Sequence, residues 1–211
     1  MGQSVLIDII GSMTTFGLLL ITTLQLNASA SESNYAYNQN YLLQRNMVVL
    51  TTMLEDDLRH IGAGVYDQLG GILLADSSDI IFRTNLPPEV DGKVDQVEWK
   101  LESTQPPNTP NTRIYYLSRT VNNVKSMINF GVTQFKMQYW SVYNPNTLIT
   151  PLPITNTSVP STGNIGPMSV TIRLESPYWS NIYKGTTDTS QYQMVWRQIR
   201  SVSRNNSIQF Q

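Results

Sequence analysis

Residues 5–61 read VLIDIIGSMTTFGLLLITTLQLNASASESNYAYNQNYLLQRNMVVLTTMLEDDLRHI, and the fold turns on how far this stretch runs without a break. All 11 prolines lie at Pro87 or later, and before Gly62 the only glycines are Gly2, Gly11 and Gly17. Nothing here removes a run of backbone donors or imposes a left-handed turn. One helix from about residue 4 to residue 61 is therefore expected, about 85 Å long at 1.5 Å per residue. Gly62-Ala63-Gly64 is expected to end it.

The two halves of this helix differ chemically. The first 44 residues contain no Lys or Arg, and Asp8 and Glu32 are their only acids. Val5 to Leu26 is an apolar run about 33 Å long, close to the roughly 30 Å hydrocarbon layer of a bilayer, and is expected to span a membrane. A secretory signal peptide competes for this segment, with Ala28-Ser29-Ala30 resembling a cleavage site. Such a peptide carries a basic n-region and a shorter apolar stretch, so a retained anchor fits better. Because the first cation is Arg45, the positive-inside bias gives no orientation.

Beyond Leu26 the pattern turns amphipathic. Leu43, Met47, Leu50, Leu54, Leu58 and Ile61 are spaced by four, three, four, four and three, which places them within an arc of about 80°. Arg45, Thr52, Glu55, Asp56 and Arg59 fall on the other side. The stripe is expected to pack on the rest of the chain. Val48 and Val49 lie off it, either touching another chain or simply exposed.

After Gly64 the period changes to short alternating runs between turn residues, the signature of a mostly antiparallel sheet. The expected strands are Ile80 to Thr84, Val94 to Glu102, Arg113 to Arg119, Val132 to Tyr143, Met168 to Glu175 and Tyr192 to Ser203. Val97, Trp99 and Leu101 alternate with Glu98, Lys100 and Glu102, as in a sheet with one face on a core and one in water. The segments QPPNTPN and YNPNTLITPLPITNTSVPSTGNIGP read as exposed loops. The expected class is α+β, a long N-terminal helix packed on an antiparallel head. The expected division is residues 1–30 as apolar helix, 31–64 as its amphipathic continuation and 65–211 as a β-rich head.

Composition excludes much catalytic chemistry. The 211 residues include no Cys and one His, which removes disulfides, thiolate nucleophiles and Cys/His zinc sites. A net charge of −1 leaves no cationic excess for a phosphate backbone, so nucleic acid is not an expected partner. Charged residues are 14%, against roughly 25% in soluble proteins, as in an exported, weakly charged surface. No nucleophile motif such as GxSxG occurs, and neither an enzyme nor a cofactor is expected. Asp76, Asp79, Asp91 and Asp95 are the residues to weigh for Ca²⁺, but DGKVD lacks the EF-hand pattern and they read as turn acids; no metal is expected. His60, following Glu55, Asp56 and Asp57, reads as an imidazole at the negative end of the helix dipole.

Asp8 is the most informative residue. A carboxylate inside an apolar run costs roughly 2.5–3.5 kcal/mol on insertion scales and calls for a partner. It is either neutralised on assembly or sits at the wet end of the span. Gly11 and Gly17 are six apart, not the four of GxxxG. Tyr35, Tyr37 and Tyr41 suit a membrane interface or a helix–helix contact but do not share one face.

An apolar helix with one early carboxylate, an amphipathic continuation ending in LEDDLRHIGAGV and a β head resembles the type IV pilin and pseudopilin superfamily, over nearly the whole chain. LEDDLRHIGAGV most resembles PilW-type minor pilins and J-type type II secretion pseudopilins. The order SSDIIFRT, VEWKLES, IYYLSRTVNNV, FGVTQFKMQYW, MSVTIRLES and VWRQIRSVSRNN is similar as well. The resemblance implies a structural subunit of a cell-envelope or extracellular filament, held in the bacterial inner membrane before assembly. Its implied partners are copies of itself or other pilin-like subunits, and the pilus or secretion assembly machinery. It also implies a leader cut after a glycine, for which Gly2 is the candidate, with Gln3 where the family has phenylalanine. Asp8, sixth in the processed chain, would stand for the family's glutamate that pairs with a neighbour's amine. A secretion pseudopilin, and a membrane-anchored binding module that forms no polymer, are the alternatives.

Overall fold

The computed structural model describes residues 2–65, 71–85, 94–150, 152–155, 165–178, 192 and 194–202. Gly2–Arg59 form one α-helix of 58 residues, α1, about 87 Å long at 1.5 Å per residue. With no proline inside it, the backbone ladder runs unbroken until Gly62 and Gly64 take φ of 74° and 69°, a region glycine enters at little cost. There the Gly62 amide donates to the Arg83 carbonyl at 2.8 Å, turning the chain directly onto the sheet.

The strands are β1 (Ile72–Ala75), β2 (Asp79–Thr84), β3 (Asp95–Leu101), β4 (Tyr115–Val121), β5 (Val124–Ser141), β6 (Ile154–Thr155), β7 (Ile165–Glu175) and β8 (Met194–Val202). They make one antiparallel sheet in the order β6-β1-β2-β3-β4-β5-β7-β8. The class is α+β, as the sequence implies.

Several elements differ from expectation. β5 starts eight residues before Val132, because Asn122 and Asn123 adopt φ of 47° and 69° and close a two-residue hairpin between Val121 and Val124. Two successive left-handed residues define the turn whose twist suits antiparallel strands, and asparagine tolerates them better than most residues. Residues 124–127 are exposed on both sides of the strand, so no inward alternation marks them. β1 and β6 were not expected; four and two residues are too short to show a period. The QPPNTPN loop is not wholly exposed, since Pro106 is buried and Asn111 is 2% accessible. The Asn111 amide donates to Glu175 Oε2 at 3.0 Å and to the Ser176 carbonyl at 3.1 Å, tying the loop to the end of β7. Of the second loop, Pro151 and residues 156–164 lie outside the described residues.

β5 is long because it serves two partners. Its first half pairs with β4 and its second with β7. At the junction Gly131 has φ 80°, and a Cβ there would lie 2.3 Å from the Glu175 carbonyl oxygen, so only glycine fits. The sheet curls until the β1–β2 turn reaches β5. The Met137 amide donates to Ser77 O at 2.7 Å, and the buried Tyr139 hydroxyl donates to Asp76 O at 2.9 Å. Burial pushes the Tyr139 hydroxyl well above its usual pKa, and the Asp76 and Asp79 charges add to this.

On the inner face Leu43, Met47, Leu50, Leu54, Leu58 and Ile61, all at most 5% exposed, share one cluster with Phe82, Val97, Trp99, Leu117, Phe135, Val170 and Ile172. The outer face is held by charge. Burial pushes the Asp79 carboxyl up despite Lys100 at 3.0 Å, while Asp79 holds the Lys100 proton more firmly. Glu102 accepts from Lys125 at 2.7 Å and Ser118 at 2.6 Å, and these two bonds hold its carboxyl below the usual range. A depressed carboxylate stabilises the fold above its unfolded pKa and loses that contribution as pH falls through the folded value. Glu102→Gln is thus expected to lower stability at pH 7 by up to about 1 kcal/mol. The difference should vanish in strong acid, as read from urea midpoints at the two pH values.

Candidate assembly surface

The first part of α1 has no cover. No residue from Val5 to Tyr35 is buried, and Ala36 is the first that is. Thirteen large apolar side chains between Val5 and Leu26 stand 48–71% exposed. They surround the helix rather than forming one stripe, and the segment is long and apolar enough to cross a membrane. A helix apolar all round belongs inside something, lipid or protein. Covering these side chains is worth on the order of 20 kcal/mol before entropic costs.

The polar groups in this segment divide into two kinds. Ser12 donates to Ile9 O at 2.8 Å, Thr15 to Gly11 O at 3.0 Å, Thr22 to Leu19 O at 2.9 Å and Thr23 to Leu19 O at 2.7 Å; Thr14 donates to Ile10 O. These hydroxyls return to the helix backbone and ask nothing of their surroundings. Asp8 is different: it is exposed and has no hydrogen bond or ion pair among the described residues. The next basic residue along the helix, Arg45, is about 55 Å away. Asp8 shares a face with Gly11, Ser12 and Thr15, at i+3, i+4 and i+7. A Cβ on Gly11 or Gly17 would meet no atom within 4 Å. This face is therefore both small and charged. Gly2 and Gln3 lie in the first turn of α1, and the Gln3 side chain lies outside the described residues.

Where the helix meets the head, the acids take separate roles. Asp57 is 4% exposed and receives Trp99 Nε1 at 2.7 Å, Arg119 Nε at 2.7 Å and Arg119 Nη2 at 2.8 Å. Trp99 and Arg119 are cross-strand partners on β3 and β4, so one carboxylate gathers two strands. Glu55 lies 3.5 Å from Arg197 of β8, whose other nitrogen donates to Thr51 at 3.2 Å. Higher on α1, Gln39 accepts from Ser176 at 3.2 Å. The sequence offered one signal for the Asp57 site: Leu117, Arg119 and Val121 alternate, placing a cation on the inward face, where an acid must offset the cost of taking its charge out of water.

The other marked residues remain apart. His60 Nδ1 lies 2.7 Å from the Asp56 carbonyl at the end of α1. Asp76 accepts from the Ser77 amide at 2.6 Å, Asp79 pairs with Lys100, and Asp95 bonds Asn122, while Asp91 lies outside the described residues. Among the described residues no group of three or more His, Cys, Asp or Glu side chains is placed to hold a metal. Tyr35, Tyr37, Tyr41, Val48 and Val49 are all exposed, at 41–73%.

Removing the Asp57 carboxylate leaves the Arg119 side chain, three-quarters covered at 25% exposure, without its counter-charge and the Trp99 indole N–H without its acceptor. Asp57→Ala is expected to cost about 3–5 kcal/mol in urea denaturation. Asp57→Ala with Arg119→Met should recover part of that loss, because the pair's own desolvation cost is removed with it.

No protein-family model matches this sequence, and no curated protein matches it. Among solved structures, a type IV-like pilin from Thermus thermophilus is similar, with a TM-score of 0.49 and 9% sequence identity over 79% of this chain and 99% of that one.

Proposed function

We propose that this chain is a structural subunit of an extracellular or cell-envelope type IV pilin-like filament of a bacterium, with a secretion-system pseudopilin as the alternative. The single observation that carries the reading is the uncovered apolar half of α1, rigidly continuous with a half docked in the head. In the inner membrane, lipid covers Val5 to Leu26. On assembly, copies of the same helix, or those of other pilin-like subunits, replace the lipid, and the β heads face outward. The exchange swaps one apolar environment for another and never exposes the segment to water.

Asp8 supplies the polar term. In lipid it is an expensive charge, and in a bundle a cationic group on a neighbouring copy neutralises it. The small Gly11, Ser12 and Thr15 beside it let a second helix approach closely. Gly2 is the candidate processing glycine and Gln3 the residue that follows, a step that would place a new amine near Asp8. The assembly machinery of a pilus or secretion system is the implied partner for extraction. This is a mechanical role without turnover.

Electron microscopy of sheared cell-surface material tests the reading, with peptide mass spectrometry on the same fraction. The native chain is expected in thin filaments, and Asp8→Ala is expected to reduce their yield about tenfold or more while the protein persists in the membrane. A variant that assembles as well as the native chain would remove Asp8 from the account. A native chain that stays with the membrane or appears only in traces would favour a minor pilin, a secretion pseudopilin or the non-polymerising anchor.

A further inference from the structure

The face of the sheet turned away from α1 holds a cluster that the filament reading does not use. Val170, Ile172 and Ile199 enter the core, so Ser169, Thr171 and Arg173 on β7 and Trp196, Gln198 and Arg200 on β8 point the other way. Phe135, Met137 and Tyr139 likewise turn Gln134, Lys136 and Gln138 of β5 outward. The registers align these nine residues in three rows: Gln134, Arg173, Trp196; Lys136, Thr171, Gln198; and Gln138, Ser169, Arg200. With strands about 4.8 Å apart and rows about 6.8 Å apart, Trp196, Lys136 and Arg200 form a triangle with sides of about 12–14 Å.

The chemistry of this grid is one-sided. It contains three cations and no acid. Arg173 is paired with Glu175 at 2.8 Å, but Lys136 and Arg200 are exposed and have no acidic partner among the described residues. The bias extends through the last part of the chain, where residues 176–211 contain Lys184, Arg197, Arg200 and Arg204 against Asp188 alone, although the whole protein carries −1. Trp196 is 68% exposed, while Trp99 is fully buried. The Ser169 hydroxyl is buried in the same face without a hydrogen-bond partner.

We infer that the outer face of β5, β7 and β8 binds an acidic polysaccharide. An exposed indole offers a flat apolar surface for the C–H face of a sugar ring. Gln134, Gln138 and Gln198 present both donors and acceptors, the match for ring hydroxyls. Lys136 and Arg200 match two carboxylates. A nucleic acid fits less well, because two free cations release few counterions and a single ring stacks one base. The inference is independent of filament formation, since all nine residues lie on the head.

Calorimetric titration of the full chain in neutral detergent micelles tests it, with polygalacturonate, neutral dextran and oligothymidylate as probes. Saturable binding of polygalacturonate that weakens with salt is expected, with none for dextran and weaker binding of oligothymidylate. Trp196→Ala should weaken binding about tenfold, and Trp196→Phe should largely keep it. Lys136→Gln with Arg200→Gln should weaken it about tenfold or more and remove the salt dependence. Unchanged melting temperatures separate these effects from misfolding at exposed positions. Equal binding of dextran, stronger binding of oligothymidylate, indifference to the substitutions at Trp196, Lys136 and Arg200, or no binding of polygalacturonate would each overturn the inference.

Discussion

One unbroken helix has to satisfy two solvents, and the rest of the molecule is arranged around that demand. From Ala36 onward α1 is an ordinary amphipathic element with its stripe in the head; from Val5 to Tyr35 it has no buried residue at all. A break between these parts would let the apolar half fold back on the head. With proline absent and the two internal glycines inside regular helix, no break occurs. Rigidity makes the uncovered segment available to lipid or to other copies while keeping it off its own sheet.

A stripe of aliphatic side chains is non-directional and by itself tolerates sliding by a turn. The Asp57 site is directional. It accepts three bonds from two adjacent strands at 2.7–2.8 Å and can be satisfied in only one register of helix on sheet. Burying this ion pair adds little net stability compared with an apolar substitute, so its physical value lies in specifying the register. Glu55 with Arg197, and Gln39 with Ser176, mark the same register at β8 and after β7. The proposed filament role would call for this precision, since every neighbour would meet the same relation of head to rod.

The long helix and the antiparallel sheet were legible because each has a period the sequence displays: an apolar run without proline, then alternations such as Val97, Trp99 and Leu101. Most strand ends fall within three residues of expectation. The misses have physical causes. β1 and β6 are too short to show a period, and the Val124 end of β5 is exposed on both faces, so no alternation announces it. Asp57 is hidden in the run Glu55, Asp56, Asp57, three similar residues whose fates differ through where each faces: β8 for Glu55, solvent for Asp56, and β3 with β4 for Asp57. The rows of the outer face depend on cross-strand register and on the bulge between Val132 and Gln134, neither of which local sequence encodes. Asp8, by contrast, stands out in sequence because its surroundings are uniform.

The central claim is that the first half of α1 is covered by copies of itself. The chain has no cysteine, so a single one can be placed without competition. Leu19→Cys puts a thiol in the middle of the exposed apolar segment, and oxidation of intact cell-surface material followed by non-reducing electrophoresis reports its neighbours. The account predicts disulfide-linked dimers of this chain in the sheared filament fraction. A thiol that stays monomeric there, and is reached only by lipid-soluble reagents in the membrane, would contradict it.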